Sequence, residues 1–183
     1  MATHALLLRG INVGTGHQVP MAQLRELLTG LGHTEVQTYL RSGNVVLTPA
    51  PGTGPDLEHT TADAIGRRFG FDVPVVVRTA AHLSDVIAAN PYPEAAAKPT
   101  TLHVTFFASE PDTSALDTTD LAAYAPDHLT VRGKEMYRYC PNGLSKSTFS
   151  ETFFRRLRLG TSGTARNWRT VLAIDDLLRT AET

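Results

Sequence analysis

Four short segments of this chain set cationic and amide side chains beside glycine: Arg9-Gly10-Ile11-Asn12-Val13-Gly14, Arg41-Ser42-Gly43-Asn44, Gly143-Leu144-Ser145-Lys146-Ser147, and the run from Gly160 to Arg169. Arginine offers a fork of donors matched to phosphate or carboxylate, and Asn and Ser add neutral hydrogen bonds. Glycine lets a ligand come close to the backbone. This is anion-binding chemistry. The reading carried forward is that Arg9, Lys146, Arg166 and Arg169 contact an anion, while Gly10, Asn12, Ser42, Gly43, Asn44 and Asn167 shape and orient its site. Each segment also has a plain structural reading as turn chemistry, or as a capped helix with solvated arginines.

The run from Gly160 to Arg169 reads as a small-residue loop entering a helix, with the Asn167 side-chain oxygen as its cap. A helix start of this kind favours anions through its free backbone donors and its dipole. Lys146 is one of three lysines; it serves as a phosphate contact, or as a general acid or base if burial lowers its pKa. Two function classes stand beside ligand binding. One is an enzyme acting on an anionic substrate with Lys146 and Arg166 as electrostatic or acid/base groups; the other is a protein-interaction domain without a ligand.

Several chemistries lack their signatures. The early glycines do not form a dinucleotide fingerprint, and neither a phosphate-binding Walker loop nor a G-x-S-x-G elbow occurs. The seven histidines and one cysteine show no metal-ligand spacing, so neither metal nor cofactor is expected. Cys140 reads as packing rather than a nucleophile, and His17 as a solvated loop residue.

The elements that must carry these segments read in one order twice. His4 to Arg9 is a strand, and Met21, Leu24, Leu27, Leu28 and Leu31 line a helix opened by Pro20. Glu35 to Leu40 and Val45 to Thr48 are strands, Leu57 to Phe69 a helix, and Val73 to Arg78 a strand. After a connecting helix and a Pro- and Ala-rich linker from Tyr92 to Thr100, the pattern resumes. Leu102 to Ala108 is a strand, Thr113 to Tyr124 a helix, His128 to Arg132 and Glu135 to Cys140 a hairpin, and Thr148 to Leu159 a helix. A final helix starts at Asn167. The expectation is an α/β protein of the α+β type, with halves spanning 1–90 and 91–183.

With 42% apolar and 19% charged residues the chain can bury a core and is not a solvated disordered polymer. No apolar run approaches the roughly 20 residues needed to span a bilayer. The single cysteine excludes an internal disulfide framework, so a cytoplasmic location and no membrane partner are expected. The net charge of −1 hides a marked asymmetry. Pro51 to Val131 holds four basic against eleven acidic residues, whereas Arg132 to Arg169 holds nine basic against two acidic. Such a basic run suits an anionic partner, a phosphorylated small molecule or a nucleic acid, unless the two segments neutralise each other.

The segments LLLRGINVG, VPMAQLRELL, TYLRSGNVVL, ANPYP, LHVTFF, PNGLSKS and GTARNWRTV resemble, in order, the bacterial proteins called domain-of-unknown-function family 1697. The resemblance implies two ferredoxin-like split βαβ halves packed together with a C-terminal helix, and no established activity. It also implies that the polar segments above coincide with the family's signature segments, with Arg9, Gly10, Asn12, Ser42, Gly43, Asn44, Lys146, Arg166, Asn167 and Trp168 among them. Relatives commonly carry Gln at position 41, and a basic residue near position 144, where this chain has leucine.

Overall fold

A computed structural model describes residues 2–53 and 56–180. It divides into two compact units, Met1–Asp85 with Ala173–Thr183, and Val86–Leu172. Each holds a four-stranded antiparallel sheet.

In the first unit the order is β1 (His4–Leu8), α1 (Met21–Gly30), β2 (Thr34–Tyr39), β3 (Asn44–Thr48), α2 (Leu57–Phe69) and β4 (Val75–Thr79). This is the β-α-β-β-α-β order of a split βαβ, and the strands lie β2-β3-β1-β4 across the sheet. The apolar run in β1 makes it a central strand, since a strand buried on both faces tolerates no polar alternation. Leu6 and Leu8 share one face and pack with Val45, Leu47 and Val75 beneath Leu24, Leu28 and Ile65 of the two helices. Truncating one such leucine to alanine costs about 2–5 kcal/mol. Gly70 ends α2 at φ 83°, a conformation glycine adopts without strain. Pro20 sits just before α1 with extended backbone rather than at its first residue.

The second unit repeats the scheme. β5 (Leu102–Phe107) leads to α4 (Ser114–Asp117), β6 (His128–Arg132), β7 (Glu135–Tyr139), α5 (Glu151–Leu157) and β8 (Gly163–Asn167), in sheet order β6-β7-β5-β8. The helix expected over 113–124 is broken. α4 covers one turn and a 3-10 turn follows over Leu121–Tyr124, because Asp120 caps the second piece and accepts from the Ala122 amide. α5 is shorter than its apolar run, since the Ser150 hydroxyl accepts from the Phe153 amide and sets the start. Its core is aromatic, with Phe149 and Phe153 4.9 Å apart and Tyr124 stacked against Phe149 at 5.0 Å.

The largest departure from the sequence reading lies at Gly163–Asn167. It is a strand, β8, paired antiparallel with β5 from His103↔Asn167 to Phe107↔Gly163. Only Gly160 to Ser162 precede it as a bend. The run reads as a loop because Gly163, Ala165 and Asn167 are weak strand formers; cross-strand pairing decides otherwise. In chain order α3 (Ala80–Ala88) follows β4, and α6 (Trp168–Arg179) follows β8. Among the described residues no helix is long and apolar enough to cross a membrane.

Candidate functional site

The ten sequence-selected residues fall into two groups, six in the first unit and four in the second. In the first unit the β1–α1 loop and the β2–β3 turn meet. Asn12 holds them, its Nδ2 donating to Arg41 O at 2.7 Å and Val19 O at 3.0 Å, and its Oδ1 accepting from Val19 N at 2.9 Å. Its φ of 56° is a left-handed conformation that Asn tolerates better than most residues. Gly43 lies so close to β1 that a Cβ would stand 2.7 Å from Leu8 Cβ and Ile11 Cδ1, at φ 79°. Its carbonyl accepts from Leu8 N at 2.8 Å. Asn44 is buried and donates to Tyr39 O and the Ser42 hydroxyl. Arg9 leaves the end of β1 exposed, its amide bonded to Pro74 O. Its guanidinium makes no hydrogen bond or ion pair among the described residues. Thus the amides and glycines close the turn, and the exposed Arg9 and Arg41 stand beside it. His17, in the same loop, stacks on Phe71 with centroids 4.5 Å apart.

In the second unit β8 alternates its side chains. Arg166 lies on the face shared with Val104 and Tyr137, only 7% exposed, and donates to the Thr164 hydroxyl at 2.7 Å and Ala165 O at 2.8 Å. Burial pulls its pKa down to about 10, so it stays charged at neutral pH. Asn167 ends β8 and caps α6 as its side chain allows, Oδ1 accepting from Thr170 N at 2.9 Å. Arg169 follows on the exposed side of α6. Lys146 lies exposed in a 3-10 turn, Leu144–Lys146. Cys140 is buried, and burial pushes its thiol up, away from the thiolate a nucleophile needs.

Two features of this unit escaped the sequence. Thr152, Arg155 and Arg156 of α5, with Arg158 just past its end, line a cleft of about 420 Å³. On the sheet, a groove of about 280 Å³ is lined by Phe107, Met136, Arg138, Phe154, Leu159 and Ala165 among others. The α5 arginines were visible as a charge run. What was missing is that the helix is short enough to leave Arg158 beyond its end, at φ 46°. No sequence signal marks the groove, because strand register brings its residues together from three separate strands.

The family model described as protein of unknown function, DUF1697, matches residues 1–137. The chain belongs to this family. The match takes in the first-unit loops with Arg9, Asn12, Gly43 and Asn44, and continues through β7 as far as Tyr137. Lys146, Arg166, Asn167 and Arg169 lie beyond the matched stretch. Among solved structures, the conserved bacterial protein SP0830 from Streptococcus pneumoniae is similar at a TM-score of 0.77 and 21% identity, over 98% of this chain and 99% of that one. At that identity the likeness speaks for the fold alone. The comparison with curated proteins finds no match.

Proposed function

We propose that the protein binds a phosphate-bearing ligand, a nucleotide or nucleic acid, through the basic surface of its second unit. The contacts are Arg155, Arg156 and Arg158 around the α5 cleft, with Lys146 and Arg169 as further cations of the same unit. One observation carries the reading: among the described residues none of these five side chains makes a hydrogen bond or an ion pair. Adjacent like charges without counter-ions repel, and a phosphate relieves that repulsion while accepting several N–H donors at once. Buried Arg166 acts by positioning: it anchors β8, and through it the Asn167 cap that sets Arg169. Arg9, with Gly10, Asn12, Ser42, Gly43 and Asn44 behind it, is the anion contact proposed for the first unit.

Fluorescence anisotropy with a labelled single-stranded oligonucleotide, repeated across a salt series, tests the reading. Affinity should fall linearly on a log–log plot, because each neutralised phosphate releases counter-ions. Pyrophosphate should raise the melting temperature, since a ligand of the native state alone stabilises it. A flat salt response together with no pyrophosphate shift would refute it.

A further inference from the structure

The sheet groove of the second unit holds a different kind of cation. Arg138 is half-buried on β7, and its guanidinium lies 5.1 Å from the centroid of the Phe154 ring. Stacking uses the flat face of a guanidinium and leaves its edge donors unspent. Among the described residues that edge makes no hydrogen bond, and partial burial lowers the pKa of the guanidinium. Asp127 faces Arg138 electrostatically, but its Oδ2 accepts from the Thr148 amide at 2.7 Å and from the Thr148 hydroxyl. None of its nitrogens is both buried and unpartnered, so these donors open onto the groove, where an incoming acceptor can take them in place of water.

The surroundings define that partner. Phe107, Met136, Phe154, Leu159 and Ala165 make the walls largely apolar beside Thr105, and among the described residues Arg138 is the one charged residue of the lining. The register places Arg138, His103 and Asn167 side by side on the same sheet face as the groove, closing it with a polar row. His103 adds no second charge there, because burial and the nearby Arg138 hold its pKa down to about 4. One planar cation beside an apolar slot of about 280 Å³ matches one carboxylate on a compact apolar body. A phosphate dianion would lose far more hydration than one guanidinium returns.

We infer that this groove binds a small monocarboxylate with an apolar or aromatic body, its carboxylate on the Arg138 edge and its body among Met136, Phe154 and Leu159. The site is independent of the α5 arginines.

Phenylacetate is the probe, titrated into full-length protein carrying methyl-labelled methionine. Met136 lines the groove, and Met21 in the first unit is the internal control. The Met136 methyl should shift and saturate while Met21 stays put. Phenylethanol, which keeps the ring, and acetate, which keeps the charge, should each bind at least about tenfold more weakly. Arg138→Gln should lose about tenfold in phenylacetate affinity, with Arg138→Lys between it and the parent. The Arg155→Gln/Arg156→Gln/Arg158→Gln variant should keep phenylacetate binding even where oligonucleotide binding is lost. An unmoved Met136 methyl in the parent protein, or equal affinity for phenylethanol, overturns the inference whatever the variants do.

Discussion

Asn12 and Val19 hold each other by a reciprocal pair of hydrogen bonds, Nδ2 to the Val19 carbonyl at 3.0 Å and the Val19 amide to Oδ1 at 2.9 Å. The side-chain amide thereby behaves as a peptide unit in a strand ladder and closes the loop between β1 and α1. A third bond, to Arg41 O at 2.7 Å, ties that loop to the β2–β3 turn.

Asn12→Ala should therefore lower stability by about 2–3 kcal/mol, since two carbonyls and one amide lose their partner and the left-handed backbone loses a tolerant residue. Asn12→Asp should cost at least as much, because it keeps the acceptor for Val19 N but sets a carboxylate oxygen against the Arg41 and Val19 carbonyls. Urea unfolding followed by far-ultraviolet circular dichroism reads both. A loss for Asn12→Asp clearly smaller than for Asn12→Ala would show that the two donor bonds contribute little.

Gly43→Ala should destabilise by about 3 kcal/mol, combining the left-handed penalty with overlap against Leu8 and Ile11. Gly10→Ala meets no neighbouring atom and bears only its φ of 72°, so about 1 kcal/mol is expected. The difference in urea midpoint between the two variants isolates the contact term.

Arg166→Ala should cost about 3 kcal/mol, since it vacates a buried site and leaves the Thr164 hydroxyl and Ala165 carbonyl without their donor. Arg169→Ala, exposed on α6, should change stability by less than about 0.5 kcal/mol and weaken oligonucleotide binding instead. Thermal melts and anisotropy on the same preparations separate the two roles. Should Arg166→Ala melt like the parent, its burial is not holding β8.

Stability should fall as pH drops from about 6.5 towards 4, through His103. Its folded pKa of about 4 lies below the unfolded value, so in that window the unfolded chain binds a proton that the folded chain does not. The contribution is complete above the unfolded value and is lost on acidification. Because the ring is partly solvated, on the order of 1–2 kcal/mol is expected rather than the full linkage figure. Buried His33, whose Nδ1 accepts from the Ala50 amide, adds in the same direction. Urea midpoints measured at pH 7 and pH 4.5 should diverge less in His103→Gln than in the parent chain.

Local sequence determined the βαββαβ order of the first unit. The runs Ala5-Leu6-Leu7-Leu8 and Val75-Val76-Val77, the leucine stripe of α1 and the stop at Gly70 act over a few residues, and periodicity records short-range physics. Asn167 as a cap was legible for the same reason. β8 was not, because Gly-Thr-Ala-Arg-Asn has weak strand preference and becomes a strand only when β5 offers its edge. With that pairing came the alternation that buries Arg166 and leaves Ala165 on the groove face. Arg138, His103 and Asn167 stand in a row for a similar reason: strand register is a long-range quantity, set by which apolar faces can be buried together. Residue type and spacing thus announced the capacity for anion chemistry, while tertiary pairing decided which cations became interior anchors and which were left facing outward.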